Sequence, residues 1–349
     1  MRRRDFVVGL PSLAAGWKAL ALPAMRLEFP RDHGAHDAQR TEWWYLTGQA
    51  KSGNRSFGFQ VTFFRTRVDG TQGLSSRFAA KQLVFAHAAV TDVQGRQLLH
   101  DQRIAREGFD IASASQGDAQ IRLRDWTLQR ADGRYAAKVA SNDFTLDLRC
   151  KPTQPVLLQG KDGLSRKGPQ EAQASYYYSE PQLTVNGRIV LRGQPLEVEG
   201  TAWLDHEWSE ELLHPQAVGW DWIGMNLDDG SALTAFRLRR SDGSALWDGG
   251  SFRARGGSVY TFSPGEAVFS PQRKWASPAS GATYPVEWIV RTPADFYTVK
   301  AVIDNQELDS RASTGAIYWE GLSDLFDSNG ARVGRGYLEM TGYSQRLRM

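Results

Sequence analysis

Short runs of alternating hydrophobic and polar residues dominate the chain after its first two dozen residues. A period of two places every second side chain on one face of an extended strand, so each run predicts a β-strand or a hairpin. Turn-forming pairs such as Asp132-Gly133 and Asn186-Gly187 separate the runs. The clearest runs are SFGFQVTFFRTR, KQLVFAHAAV, AQIRLRDWTLQR and RIVLRGQPLEVEGTAWL. Because no long helical period interrupts them, the pattern predicts an all-β protein made of sandwiches or barrels.

Two segments about half a chain apart share one design. EWWYLTGQAKSGNRSFGFQVTFFRTRVDG begins at Glu42, and WDWIGMNLDDGSALTAFRLRRSDG begins at Trp220. When Trp44 is placed on Trp222, both read as a strand, a Gly-bearing turn, a second strand ending in arginines and an Asp-Gly turn. This weak repeat predicts two barrels of similar design, each opened by a Trp-bearing hairpin. Chance similarity between common hairpins is the alternative.

Residues 1–24 have the layout of an export signal. MRRRDFVVGLPSLAAGWKALALPA has a basic start, an apolar run and small residues near its end, with cleavage expected after Ala21 or Ala24. Its RRDF stretch also matches a twin-arginine signal; a membrane anchor or a start codon set too early is the alternative. We therefore expect a periplasmic or secreted mature chain, with an N-terminal barrel over residues 25–210 and a C-terminal barrel over residues 211–349.

Composition narrows the class of protein. The 349 residues include 12 Trp, 11 Tyr and 16 Phe, which suit half-buried pleated surfaces and apolar pockets. The net charge of +3 lies entirely within residues 1–24, so a near-neutral mature chain is not expected to bind nucleic acid. No later run reaches the roughly 18 apolar residues of a membrane-spanning helix. The single cysteine, Cys150, excludes an intramolecular disulfide and is expected to be an inert core residue.

Familiar catalytic motifs are absent from the sequence. It contains no G-x-S-x-G elbow, P-loop, dinucleotide fingerprint or H-E-x-x-H. An ordinary serine hydrolase or nucleotide enzyme is therefore not expected. In the segment DHGAHDAQRTEWWYL, His33 and His36 stand beside Asp32 and Asp37 and could in principle hold a metal. A flexible or capping lead-in to the first strand is the favoured interpretation, and we expect no metal.

The stretch AWLDHEWSEE, residues 202–211, is the best candidate for chemistry. If it is extended, one face carries Trp203, Asp205 and Glu207 and the other carries Leu204, His206 and Trp208. Burial beside an indole raises a carboxyl pKa and keeps the acid able to donate a proton. Asp205 or Glu207 could then serve as a general acid, with His206 as its partner. The structural alternative is a salt-bridged barrel closure, for example between Asp205 and an arginine of FRLRR.

Several longer motifs carry a family resemblance over about residues 26–349. RTEWWYLTG, GTAWLDHEWSEE, GWDWIGMNLDDGSAL, YWEG and GYLEMTGY resemble the AttH-type predicted secreted hydrolases, which are related to carotenoid 1,2-hydratase (hydroxyneurosporene synthase). The resemblance implies a pair of lipocalin-like β-barrels that meet at a shared interface. In the hydratase branch an acid protonates an alkene and water captures the carbocation, without any cofactor. Asp205, His206 and Trp208 match its D-H-x-W segment. The next hairpin reads Ala235-Phe236-Arg237 where a tyrosine and an acid are expected, which puts carotenoid hydration itself in question.

Two functions follow as hypotheses. In the first, an exported enzyme adds water to a hydrophobic or isoprenoid-type ligand by hydration or hydrolysis, with Asp205, His206 and Glu42 doing the acid–base work. The expected walls of its binding site are Trp44, Trp208, Trp220, Trp222 and Tyr45. In the second, the protein is a non-catalytic carrier of a hydrophobic molecule or assists an ABC-type permease. A third interpretation is that the segments rich in charged and aromatic residues, such as AWLDHEWSEE, only hold the two barrels together.

Overall fold

Antiparallel strands make up most of the part of the chain that the computed structural model describes, residues 22–211 and 213–347. The predicted export signal lies outside the described residues except for residues 22–24. The first sheet contains β1 (Thr41–Ser52), β2 (Arg55–Arg67), β3 (Gln82–Asp92), β4 (Gln97–Arg106), β5 (Ala112–Ala114), β6 (Gln120–Leu123), β7 (Trp126–Ala131), β8 (Arg134–Ala140), β9 (Phe144–Lys151), β10 (Leu157–Leu158), β11 (Leu164–Arg166), β12 (Ala174–Leu191) and β13 (Gln194–Ser209).

The remaining strands follow in the second half of the chain. They are β14 (Gly219–Leu227), β15 (Ala232–Arg239), β16 (Ala245–Arg253), β17 (Val259–Thr261), β18 (Val268–Pro271), β19 (Lys274–Ala276), β20 (Thr283–Pro285), β21 (Glu287–Arg291), β22 (Phe296–Ala301), β23 (Glu307–Ser310), β24 (Ala316–Phe326) and β25 (Arg332–Met340). β19 and β20 form a small sheet of their own, and the others form the second large sheet. Short 3-10 turns span Arg31–His33 and Asp69–Thr71.

Each large sheet winds so that its first strand pairs with its last. The first sheet has the order β4-β3-β2-β1-β13-β12-β9-β8-β7-β6-β5, with β10 and β11 attached to β12. Its two ends come together, since β3 and β4 contact β5 and β6, and the sheet is a nearly closed barrel. The second has the order β17-β16-β15-β14-β25-β24-β22-β21-β18, with β23 attached to β24. The predicted all-β fold of two antiparallel barrel-like sheets is confirmed.

The two opening hairpins correspond, but one residue away from the register that the sequence suggested. Trp44 on β1 packs inside the first barrel, whereas Trp222 on β14 faces the region between the two sheets. Placing one tryptophan on the other is therefore wrong in structure, because a shift of one residue turns every side chain of a strand to the opposite face.

Buried ion pairs mark the register that does match. Glu42 of β1 lies opposite Arg65 of β2, and the carboxylate accepts a hydrogen bond from the Arg65 Nε at 2.8 Å. Asp221 of β14 lies opposite Arg237 of β15, and the corresponding hydrogen bond measures 2.7 Å. Since a buried charge is tolerated only when it is paired, each barrel has the same requirement at the same place in its first hairpin.

Three apolar clusters hold the molecule together. One fills the first barrel, one fills the second, and a third lies between the sheets. Cys150 belongs to the first cluster, where burial raises the pKa of its thiol to about 12. Within the described residues, no helix has both the length and the apolar character that a membrane crossing requires.

Polar contacts between the barrels fix how they pack. The Gln60 Nε2 on β2 donates a hydrogen bond to Glu320 on β24 at 2.8 Å. The Asn226 Nδ2 on β14 donates to the backbone oxygen of Ala202 on β13 at 3.0 Å. These contacts join the outer face of the first barrel to the outer face of the second, and a cavity remains beside them.

Candidate active site

Strand β13 contributes to two separate environments, because its side chains alternate between the two faces of the sheet. Asp205 and Glu207 line the cavity between the barrels, whereas His206 and Trp208 are buried on the opposite face. The same alternation on β1 sends Tyr45 to the cavity. Neighbours in sequence thus lie on opposite sides of one wall, and the structure does not bring His206 to Asp205 as an acid–base partner.

The cavity between the barrels has a volume of about 1280 Å³. Of the sequence-predicted residues, Asp205, Tyr45, Trp220 and Trp222 line it. The other four, Glu42, Trp44, His206 and Trp208, are buried in the first barrel and do not line it. A large concave space with aromatic walls and a few convergent polar groups is the usual form of a small-molecule site.

Asp205 is a buried acid that three neutral donors hold in place. The Tyr177 hydroxyl donates to Oδ2 at 2.7 Å, and Ser179 and the Trp203 indole donate to Oδ1 at 2.5 and 2.7 Å. The residue is 3% exposed. Burial raises the pKa of Asp205 to about 7, although the three hydrogen bonds oppose the rise. An acid with that pKa is partly protonated near neutral pH and can both donate and accept a proton.

A second carboxylate beside Asp205 is neutralised by a lysine. Glu207 accepts a hydrogen bond from Ser175 at 2.5 Å and pairs with the Lys167 Nζ at 2.9 Å. The lysine ammonium also lies over the rings of Tyr177 at 4.6 Å and Phe236 at 4.2 Å. Glu207 is thus held by a lysine ammonium, whereas Asp205 is held by neutral donors only.

Sequence reasoning missed two further acids in the same cavity. Glu320 on β24 and Glu339 on β25 are direct partners across the two strands, and both line the cavity. Burial raises the pKa of Glu320 well above its usual range and that of Glu339 to about 7. The signal was present in YWEG and GYLEMTGY, where a lone acid interrupts an apolar strand, but alternation alone did not show that these strands face each other across the cavity.

The remaining predicted residues form a cluster inside the first barrel. Glu42 accepts hydrogen bonds from His36 Nδ1 at 2.7 Å, from His206 Nε2 at 2.9 Å and from Arg65 Nε at 2.8 Å. Burial alone would raise the pKa of Glu42, but the hydrogen bonds and charges of His206 and His36 bring it well below its usual range. Trp208 stacks on His36 with ring centres 3.7 Å apart. These residues form a close-packed cluster inside the first barrel in which the charge of Glu42 is compensated by its partners.

His36, Glu42 and His206 are also the residues that could hold a metal. One ligand atom of each lies within 4.8 Å of the others. The Glu42 oxygen concerned already bonds both imidazoles, and Arg65 holds the other oxygen, so a metal would have to displace two hydrogen bonds. His33, the other histidine of the lead-in segment, bonds the Tyr178 hydroxyl at 2.7 Å instead. In this structure both imidazoles share the Glu42 carboxylate through hydrogen bonds.

The salt bridge between Asp205 and an arginine of FRLRR, which was the structural alternative to a catalytic role, is not formed. Arg237, from that segment, bonds Asp221 inside the second barrel, and Arg239 lies 3.6 Å from the same carboxylate. The reason is again alternation: Asp221 and Arg237 are opposite partners on one face of β14 and β15, whereas Phe236, the next residue, lines the cavity. The residues of this hairpin that line the cavity are aromatic or aliphatic and include no acid: Trp220, Trp222, Phe236 and Leu238.

Fold and site together define a two-barrel, lipocalin-like protein with an acidic, aromatic cavity at the barrel interface. The model of the AttH-like family matches residues 20–343, and the chain belongs to that family. The crystal structure of an AttH protein from Nitrosomonas europaea is 46% identical, with a TM-score of 0.87 over 93% of this chain and 100% of that one.

Two more distant structures share the fold. Kievitone hydratase from Nectria haematococca is 12% identical, with a TM-score of 0.70 over 94% of this chain and 96% of that one. The protein CghA is also 12% identical, with a TM-score of 0.53 over 89% of this chain and 90% of that one. Among curated proteins, none matches the chain in sequence. The predicted lipocalin-like architecture and family are confirmed, and the fold is one that a hydratase uses.

The buried cluster should be required for folding. Glu42→Gln removes the buried counter-charge of Arg65 and leaves only the partly exposed Asp37, 3.9 Å away, and we expect the free energy of unfolding to fall by about 3–5 kcal/mol. Glu197→Gln is the matched control, because the Arg188–Glu197 pair is exposed on the surface and should contribute about 1 kcal/mol or less. Urea denaturation measures both. An equal, small effect of the two substitutions would contradict the assigned role of the cluster.

Proposed function

We propose that the protein adds water to a hydrophobic or isoprenoid-type substrate by cofactor-free acid–base catalysis in the cavity between the barrels. The observation that carries this proposal is Asp205, a buried acid with a pKa of about 7 on the wall of an aromatic cavity. Its place beside Trp222 and Tyr177 suits proton transfer to a substrate that has no polar handle of its own. Membership of a fold that also forms a hydratase supports the same reaction class.

The chemistry requires one proton and one water. Protonated Asp205 gives its proton to one carbon of a double bond, so that a C–H bond forms and the other carbon becomes a cation. The oxygen of water attacks that cation, and the extra proton returns to the Asp205 carboxylate. In the hydrolytic version the same proton goes to the leaving oxygen while water attacks the neighbouring carbon. In both versions Asp205 ends as it began, and one water has been added.

The surroundings of Asp205 suit this cycle. Tyr177 donates to the carboxylate and itself accepts a hydrogen bond from the Trp222 indole at 3.2 Å, so the acid is oriented before substrate binds. Indole faces such as those of Trp220 and Trp222 stabilise a nearby cation by about 0.5–2 kcal/mol. His206 and Glu42 do not line the cavity. In this proposal they hold β13 and β1 in position and transfer no proton.

Replacement of the acid should abolish the reaction. Purified protein is incubated with a lipid and isoprenoid extract in ¹⁸O-labelled water, and products are identified by mass spectrometry. We expect a product heavier than its precursor by one labelled water, formed about 10²–10⁴ times more slowly by Asp205→Asn. Asp147→Asn, an exposed aspartate on β9, is the control and should match the wild type. A product formed equally by Asp205→Asn would contradict the assignment of the acid.

The rate should depend on pH in a defined direction. Because Asp205 must be protonated to donate, and its pKa is raised to about 7 by burial, the rate should fall as pH rises through about 7. The contribution of Asp205 to the free energy of unfolding should also fall as pH rises. The folded chain keeps a proton that the unfolded chain releases above about pH 4, so this group's contribution is full below pH 4 and lost as pH rises through 7. Rate profiles and urea midpoints from pH 5 to 9 measure both, and the difference between the wild type and Asp205→Asn isolates the part due to Asp205 from that of Glu339, whose pKa is also raised to about 7.

The second candidate is a carrier of a hydrophobic ligand, which could serve an ABC-type permease. The size of the cavity and its aromatic walls favour it as much as they favour an enzyme. A carrier would retain an unchanged ligand from the same extract, equally in wild type and Asp205→Asn, and would lose it in Trp222→Phe. That result would exclude the catalytic proposal.

We also propose that the protein acts outside the cytoplasm, as a periplasmic or secreted protein exported by the twin-arginine route. This proposal rests on the sequence of residues 1–24. The N-terminal sequence of the protein recovered from the periplasm or the medium tests it: a start at Leu22 or Met25 is expected, and an intact chain retained in the cytoplasm would contradict it.

A further inference from the structure

Four of the carboxyl groups that line the cavity, those of Asp205, Glu207, Glu320 and Glu339, differ in how their charge is compensated. Asp205 receives three hydrogen bonds from neutral donors, and Glu207 is paired with Lys167 at 2.9 Å. Glu320 and Glu339 make no salt bridge among residues 22–211 and 213–347. The Gln60 Nε2 donates a hydrogen bond to the Glu320 Oε2 at 2.8 Å, and the other neighbours of this carboxyl group are the neutral hydroxyls of Tyr45 and Tyr318. The cavity therefore contains one pair of acids with no counter-ion.

The geometry of this pair is unusual for a structural role. Glu320 and Glu339 are direct cross-strand partners, which places their side chains side by side on one face of the sheet. Glu320 is 2% exposed, and its Oε1 has no hydrogen-bond partner in the described part of the chain. The hydroxyl of Tyr45, also buried and lining the cavity, has none there either. A barrel needing only packing at this position would be more stable with apolar residues.

Two adjacent carboxyl groups in a low-dielectric space cannot both ionise unless a cation approaches them. They must either share a proton or bind a positive charge. Burial raises the pKa of both groups, and the charge of Glu339 raises that of Glu320 further, whereas Glu339 is also affected by the charges of Asp205, Glu207 and Asp221. These effects keep a proton on the pair while the cavity is free of a cation. A cation that enters replaces this proton and relieves the repulsion at the same time.

Aromatic rings complete the surroundings of the pair. Trp222 is the cross-strand partner of Glu339 on β14, and Tyr318 precedes Glu320 by two residues on the same strand, so both belong to the same face. Trp220 and Tyr45 also line this cavity. Carboxylates combined with aromatic faces are how proteins recognise ammonium groups, because the ring quadrupole and the negative charge both attract a poorly hydrated cation.

We propose that Glu320, Glu339 and these rings form a subsite for the positive centre of an amphiphilic ligand, with an ammonium group on an alkyl or isoprenoid chain as the ligand class. The inference deepens the proposed function and rests on it in one respect only: during water addition, the subsite would face the carbocation. An ammonium amphiphile is a stable analogue of that cation, and its binding needs no turnover.

Decyltrimethylammonium is the probe, and decanol is its uncharged counterpart of equal chain length. Their dissociation constants are measured by calorimetry and by tryptophan fluorescence at pH 8. We expect the wild type to bind the cation at least about tenfold more tightly than decanol. Glu320→Gln combined with Glu339→Gln should remove that preference while leaving decanol binding unchanged, which also shows that the cavity is intact. Glu287→Gln, a surface acid paired with Lys300, should behave as the wild type.

Equal binding of the two probes by the wild type, or an unchanged preference in the double variant, would overturn the proposal. So would loss of the preference in Asp205→Asn alone, which would move the subsite to that residue. If the double variant does not fold, Glu339→Gln by itself, at a partly buried position, carries the test with a reduction of at least about threefold expected. A clear cation preference with no labelled-water product from the extract would reject hydration and leave the subsite standing.

Discussion

The structure depends on the alternation of side chains along two paired strands, β1 and β13, which form the wall between the first barrel and the cavity. Every residue of that wall must face one side or the other. Glu42 and His206 face the interior of the first barrel, where Glu42 accepts hydrogen bonds from His206 and Arg65. Tyr45 and Asp205 face outwards and line the cavity. Residues on the two faces of β13 thus serve different purposes. The buried charged cluster on the inner face holds the strand in place, and the strand positions Asp205 on the outer face.

Burial gives the outward-facing acids their chemical character. In water these carboxyl groups would be ionised at neutral pH, but enclosure between two barrels raises the pKa of Asp205 and of Glu339 to about 7. The second barrel is therefore part of the site as well as of the scaffold: it supplies Trp222 to the surroundings of Asp205 and contributes the uncompensated pair. The catalytic account and the cation subsite both follow from this enclosure.

Much of the fold and part of the candidate site could be predicted from the sequence. The other cavity residues could not, because they are brought together by strand pairings far apart in the chain. Alternation with Gly-bearing turns predicted the strands, and the motif around Asp205 predicted the acid and its indole neighbour. The two faces of residues 203–208 were also assigned correctly relative to each other. Which face meets the cavity depends on pairings far apart in the chain, such as Tyr45 with Asp205. Glu320 and Glu339 were missed because 18 residues of turn and strand separate them, and only β-pairing makes them neighbours. The one-residue offset between Trp44 and Trp222 has the same origin.

The central claim is that Asp205 keeps its proton near neutral pH inside the cavity. Difference infrared spectroscopy of the carboxyl stretch, wild type minus Asp205→Asn, measures this directly between pH 5 and 9 and needs no substrate. The account predicts a protonated carboxyl band at pH 5 that disappears with a midpoint near pH 7 and is missing in the variant. A carboxylate already ionised at pH 5 would contradict it, and Asp205 would then be a structural acceptor of three hydrogen bonds.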